Sequence, residues 1–271
     1  MRNVEKIIQT IESTLVNVEV KYQEVTKTNG MIFHGLVIKN KSSNVAPVLY
    51  LDKYPENVTD EEVAELILDE YQHVKDTDFN IDISKDMSKI QPQLINTDRN
   101  RMLLDRCPHI DFLDMSLVFR YIFDKGDDGI ASALINYSLA EQLRMDLDEL
   151  YLYSKRYIDE LVISNIFDML HVEDHDDPEL LYVVSTRTQI NGAAIIAFPE
   201  VVDILAEKFG DFVILPSSVH EVLLMPMTDN MHYDYLIEMV REVNSTLEPS
   251  EILSDNVYRY FAETKQWEIL D

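Results

Sequence analysis

Residues 211–226, DFVILPSSVHEVLLMP, restrict the fold more than any other stretch of the chain. They hold two dense apolar runs, each too short for an ordinary helix, split by Pro216-Ser217-Ser218. Proline presets φ for a turn, and the serine hydroxyls bond nearby backbone groups. The two runs are therefore predicted to fold back on each other as a central hairpin of a sheet. The flanks agree with that reading. Residues 181–185 and 192–198 are predicted strands, and Pro199 and Gly210 sit where a helix between them would start and stop. Val201, Ile204, Leu205 and Phe209 form the apolar stripe of that helix. Asp229 or Asn230 is expected to cap a later helix bearing Leu236, Met239, Val240 and Val243. Residues 257–262 and 266–270 close the chain as a hairpin turning at 263–265.

The other end of the chain carries a separate pattern. Val4, Ile7, Ile8, Ile11 and Leu15 have helical spacing, whereas Val18, Val20 and Tyr22 alternate with polar residues as in a half-buried strand. Asn29-Gly30 suits a tight turn with positive φ angles, so residues 31–39 are read as the returning strand. Residues 45–51 make a third strand, in which Pro47 favours an edge or a bulge. Thr59 and Glu62 have the spacing of a capping box. The helix they open carries Val63, Leu66, Ile67, Tyr71 and Val74. Between these two ends, residues 77–106 read as a polar link containing Pro92. Residues 115–123 and 130–135 then read as strands around a Gly-Asp-Asp-Gly turn, followed by a short helix at 138–143. A further helix capped by Asp146 is expected to continue, with a break near Asp159, to residue 170.

The expected fold class is α+β. A small helix–three-strand–helix module at 1–76 is followed by the link at 77–106 and a larger mixed-sheet α+β module at 107–271. With 46% hydrophobic residues the 271-residue chain has enough apolar mass for such cores. Its formal charge of −27, from 50 acidic and 23 basic residues, repels nucleic acid phosphates and anionic membrane surfaces. That balance suits a basic protein partner, a cation or, most commonly, simple solubility. The single cysteine, Cys107, cannot close an internal disulfide, and no apolar run has transmembrane length, so a cytoplasmic location is expected.

Several chemistries are excluded by what the sequence does not contain. The six glycines fall in neither a dinucleotide-binding nor a phosphate-cradling spacing, and no cofactor is expected. Ser217, Ser218 and His220 are the candidate catalytic residues, since a serine nucleophile needs a histidine base and an orienting carboxylate. Glu221, Asp203 or Asp255 could supply that carboxylate. The competing structural reading makes Ser217 and Ser218 turn residues. It also places His220 on one strand face with Val222 and Leu224, as a core histidine. His171, His175 and Asp174 are candidate metal ligands, because imidazoles four positions apart share a helix face. Pro178 and the crowding of acids there favour a solvated loop. Cys107, beside Arg106 and His109, is a candidate for a lowered thiol pKa, but a lone thiol preceding proline reads first as a passive residue.

Four segments, read in order, resemble a known family: VTKTNGMIFHGLVI with VAPVLYLDKY; LINTDRNRMLLDRCPHIDFLDMSLVFRYIF; INGAAIIAFPEVVDILAEKFGDFVILPSSVHEVLLMP; and MVREVNSTLEPSEILSDNVYRY. They look like a family of uncharacterised bacterial proteins, found mainly in anaerobic gut bacteria and known only as a domain of unknown function. The likeness runs over roughly residues 18–270 and implies no activity, cofactor or catalytic residue. The functional expectation is therefore a soluble, non-enzymatic protein that binds a macromolecular or small partner. The alternatives are a hydrolase-like enzyme built on the Ser-His pair and an acidic nucleic-acid mimic that occupies a basic protein partner.

Overall fold

A computed structural model of the chain describes residues 2–41, 46–75, 86–126, 129–166 and 181–271. The chain divides into two compact units, Met1–Asp82 and Ile83–Asp271. Each follows α+β logic, with antiparallel sheets covered by helices.

The first unit is the helix–three-strand–helix module that its periodicities predict. It runs α1 (Val4–Thr14), β1 (Val18–Thr26), β2 (Ile32–Asn40), β3 (Val48–Tyr50) and α2 (Asp60–Lys75), with strand order β1-β2-β3. Asn29 and Gly30 both adopt positive φ, 60° and 70°, which is the backbone the Asn-Gly pair was expected to supply. β3 is an edge strand, as Pro47 requires, and the Pro47 carbonyl still accepts the Ile38 N–H at 3.1 Å. The core joins Ile7 and Ile11 of α1, Val63, Ile67 and Tyr71 of α2, and Val20, Leu36 and Ile38 of the hairpin. Leu66, expected on the buried side of α2, is 47% exposed. It lies three residues from Val63 and one from Ile67, on the edge of the apolar stripe that the sheet leaves uncovered.

The second unit holds two sheets. β4 (Ile90–Asn96), β5 (His109–Phe112), β6 (Met115–Gly126) and β7 (Gly129–Leu134) form one, with β6 central. The other has the order β13-β12-β10-β11-β9-β8, from β8 (Leu161–Asn165), β9 (Tyr182–Thr186), β10 (Phe212–Leu215), β11 (Val222–Pro226), β12 (Val257–Phe261) and β13 (Gln266–Leu270). All pairings among the described residues are antiparallel, so the sheets of this unit are not mixed as expected. Helices α3 (Arg101–Leu104), α4 (Tyr137–Leu143), α5 (Leu147–Ser154), α6 (Pro199–Phe209) and α7 (Tyr233–Asn244) lie between the strands in sequence. β10 is covered on both faces. Phe212 and Ile214 enter the main core with Leu117, Phe119, Val201 and Leu205, while Val213 and Leu215 pack with Leu236 and Val240 of α7.

Four further expectations change. Residues 192–197 form a 3₁₀ helix, not a strand, entered from Asn191 in the left-handed region at φ 55°. The segment expected to extend the helix after Asp159 turns through a 3₁₀ helix at Lys155–Glu160 into β8. The N-cap position of α7 is His232, which makes no side-chain capping bond, and not Asp229 or Asn230. The polar stretch read as a link contains β4, whose residues are all buried.

Candidate functional site

The stretch 211–226 is the expected hairpin: β10 pairs with β11 from Phe212↔Pro226 to Leu215↔Leu223. Its connecting residues are held by their own backbone and by neighbouring segments. Ser218 N–H donates to Glu221 O at 3.1 Å, Val219 N–H donates to Glu251 O at 2.9 Å, and Ser185 Oγ donates to His220 O at 2.8 Å. The chain passes so close to Gly192 that a Cβ there would lie 2.5 Å from His220 O and 2.8 Å from Thr186 N. Only glycine fits that approach.

These bonds decide how the Ser-His candidates are arranged. Ser218 Oγ accepts the backbone N–H of His220 at 3.1 Å, so the hydroxyl faces the main chain and not the imidazole. His220 Nδ1 accepts the Asn191 N–H at 3.3 Å, which puts the proton of the neutral ring on Nε2. Nε2 lies 3.9 Å from Glu251 Oε1. That carboxylate is none of the three expected. Asp203 instead pairs with Lys265, Asp255 pairs with Arg99, and Glu221 contributes its carbonyl to the turn. The ring is 40% exposed and precedes β11, so it does not share a core face with Val222 and Leu224. The structure thus brings His220 to a carboxylate and Ser218 to the His220 backbone, without a serine-to-imidazole bond. Ser217 lies in the same turn, partly buried.

His171, Asp174 and His175 lie outside the described residues. Among the described residues no three His, Cys, Asp or Glu side chains group as a metal site. Cys107 is 2% exposed, and burial pushes its thiol up to about 11 against a weaker opposing pull from Arg106. A buried thiol held protonated agrees with the passive reading of this cysteine and not with the lowered-pKa alternative. His109 Nδ1 donates to the Cys107 carbonyl at 2.9 Å, so the imidazole serves the backbone and not the sulfur.

A cavity that no motif flagged lies within the first unit. Its origin is a mismatch of lengths. A nine-residue strand such as β1 spans roughly 30 Å, whereas the eleven residues of α1 span about 16 Å. The core face of the hairpin carries Val20 and Ile38 as a register pair, then Tyr22 and Leu36, then Glu24 and His34. Val20, Leu36 and Ile38 are buried against the helices; Tyr22 and His34 lie beyond them. The result is a cavity of ≈ 690 Å³ lined by Tyr22, His34, Leu51, Asp52, Tyr54 and Glu56, with the α2 N-terminus at its margin.

The walls of this cavity are fixed by hydrogen bonds. Tyr22 and His34 stack with ring centroids 5.9 Å apart, and Tyr22 Oη meets His34 Nδ1 at 2.5 Å. Asp52 Oδ2 accepts the His34 N–H at 2.6 Å and anchors the 3₁₀ turn Leu51–Lys53 to β2. Arg2 clamps the opposite wall by donating to the carbonyls of Val58 at 3.1 Å and Pro55 at 2.7 Å. Tyr54 Oη donates to Glu70 Oε2 at 3.1 Å, and burial, reinforced by that carboxylate, pushes the phenol well above its ordinary range. Partial desolvation and the charge of Glu24 raise the Tyr22 phenol as well. Both rings are neutral at physiological pH. Asp52, Glu56 and Asp60 make no ion pair among the described residues, so the cavity carries net negative charge.

The model of a family of unknown function, DUF5688, matches residues 2–261. The chain belongs to this family. No curated protein and no solved structure matches it. The matched span takes in the cavity, the 216–221 turn and a third polar centre that sequence reading missed. There Asp114, on the β5–β6 turn, accepts from Ser254 Oγ at 2.6 Å, Asn256 Nδ2 at 3.0 Å and Tyr258 Oη at 2.5 Å. Arg99 and Asn244 hold the neighbouring Asp255, at 2.7 and 2.8 Å. The short polar runs NTDRN and LSDN carry Arg99, Ser254, Asp255 and Asn256, and that clustering was the available signal. Every oxygen of Asp114 is used internally, so this centre is a structural knot.

Proposed function

We propose that this chain is a non-enzymatic binding protein whose first unit takes a small ligand between the hairpin and the α2 N-terminus. The observation that carries the reading is the cavity lined by Tyr22, His34, Asp52 and Tyr54. Its ≈ 690 Å³ falls in the range of small-molecule sites, which combine apolar or aromatic walls with a few placed polar groups. Tyr22 is tied to the His34 ring, Asp52 to the His34 backbone and Tyr54 to Glu70, so a ligand meets walls that are largely preformed. The hydrolase-like alternative draws no such support, because Ser218 Oγ faces the His220 N–H and no bond joins a serine hydroxyl to the imidazole among the described residues. A fragment library titrated into protein with labelled tyrosine and histidine rings tests the proposal. Hits should shift Tyr22, His34 and Tyr54 together. Hits that map elsewhere, or no saturable hit, would remove it.

A further inference from the structure

We infer that the ligand class for this cavity is an organic cation, a compact alkylammonium group held over aromatic rings and faced by carboxylates; the inference rests on the binding reading above. The walls present three rings, those of Tyr22, His34 and Tyr54, in a space closed below by the buried Leu51. Phenol rings offer a negative face to a cation, and the interaction strengthens where water is partly excluded. The charge at the cavity has the matching sign. Four carboxylates line it, from Asp52, Glu56, Asp60 and Glu61, against the single guanidinium of Arg2.

The pairing of those charges sharpens the point. Glu61 is neutralised by Lys6, and the described donors of Arg2 are directed to backbone carbonyls. Asp52 accepts one backbone N–H through Oδ2, and Asp60 accepts the Asn3 N–H through the same atom at 3.2 Å. Glu56 is exposed. Asp52 and Glu56 therefore line the cavity without a cation of their own among the described residues, while Asp60 shares the field of Lys6 with Glu61. The same wall shows the chemistry already at work from outside, where the Lys53 ammonium sits 5.1 Å from the centre of the Tyr54 ring and pairs with Glu70. An anion entering would meet these acids and the −27 charge of the chain; a neutral ligand would leave them unused. The group recognised is the ammonium itself, carried by a free amine or by a lysine side chain of a partner.

The test titrates the full chain with choline, its neutral isostere 3,3-dimethylbutan-1-ol, the anion 3,3-dimethylbutanoate and a blocked Gly-Lys-Gly peptide, reading Tyr22 and His34 ring resonances. Choline or the peptide should bind at least about fivefold more tightly than the neutral isostere, and the anion should be weakest. Whichever of the two cations binds better identifies the carrier, and either outcome supports the class. Asp52→Asn keeps the acceptor for the His34 N–H and Glu56→Gln keeps shape, so both variants should fold. Together they should erase the preference for choline over its isostere. An isostere that binds as well as choline would overturn the cation class while leaving the cavity reading standing. Silence from all four probes would overturn both.

Discussion

At the scale of single residues, the most informative positions are buried groups whose partners are distant in sequence. Asp114 collects three donors from the 254–258 segment, including the Tyr258 hydroxyl, whose pKa is raised first by burial and then by the charge of Asp114. Removing the carboxylate strands buried donors, and that desolvation cost exceeds the value of the bonds themselves. Asp114→Ala is expected to lose about 3 kcal/mol of stability in urea unfolding, and Asp114→Asn, which keeps one acceptor, about half of that. Equal losses for the two variants would show that the charge, not shape or acceptor count, holds the knot. Cys107 gives a second residue-scale test. With the folded thiol at about 11 and the ordinary value near 9.0, labelling by iodoacetamide at pH 8 should be roughly a hundredfold slower in native than in unfolded protein. The linkage has a definite sign. Between those two values the unfolded chain releases the thiol proton and the folded chain retains it, so stability falls as pH rises through that window. The full effect is about 2–3 kcal/mol, and a Cys107→Ala variant should lack that part of the alkaline slope.

At the scale of elements, capping decides where α2 begins. Thr59 N–H donates to Glu62 Oε2 at 2.9 Å, and Glu62 N–H donates back to Thr59 Oγ1 at 3.3 Å. Those bonds from Thr59 also hold the Glu62 carboxyl below its ordinary pKa. Thr59→Ala should cost about 1 kcal/mol at neutral pH by denaturant melts. Because the Glu62 carboxyl is lowered, that difference should shrink as the pH falls through its titration; a difference independent of pH would refute the reciprocal box. This box was legible because its signal is local: two side chains and two N–H groups within four residues. The Asn29-Gly30 turn, the Pro199–Gly210 bracketing of α6 and the Asp146 cap of α5 were legible for the same reason. The failures share a cause too. GAAIIA at 192–197 has the apolar run of a strand, yet its conformation is set by Asn191 at φ 55° and by the approach of His220 O, neither of which is a local property. β4 escaped notice because Gln91 and Gln93 are buried polar residues, and their burial depends on the rest of the unit. For the site, sequence drew attention to Ser217, Ser218 and His220, where polar groups interrupt an apolar run. Tyr22 and His34 were hidden inside a regular alternation. What makes them cavity walls is that the strands outrun α1, a comparison between elements and not a motif.

At the scale of the whole molecule, each unit closes its own core. The buried cluster of the first unit is drawn from residues 7–71, with partners reaching from Val4 to Leu68. The clusters of the second draw on residues from Ile90 onward. A unit of this size buries a smaller fraction of its surface than a larger domain does, so its stability alone should be modest, a few kcal/mol. Three features nevertheless favour autonomy. Its sheet is a meander with a pinned register, both helices are capped from within the unit, and Lys6–Glu61 and Lys53–Glu70 tie its elements together. Residues 1–82 produced alone are therefore expected to give dispersed amide spectra and one cooperative unfolding transition. The full chain should unfold in two steps, with the lower-temperature step matching the fragment. The cavity lies wholly within those residues, so the fragment should also retain the ring shifts produced by choline. A folded fragment that has lost them would place part of the binding surface on the second unit. A fragment that stays unfolded would mean that the first unit, despite its closed core, depends on the rest of the chain for the free energy that its short sheet cannot supply.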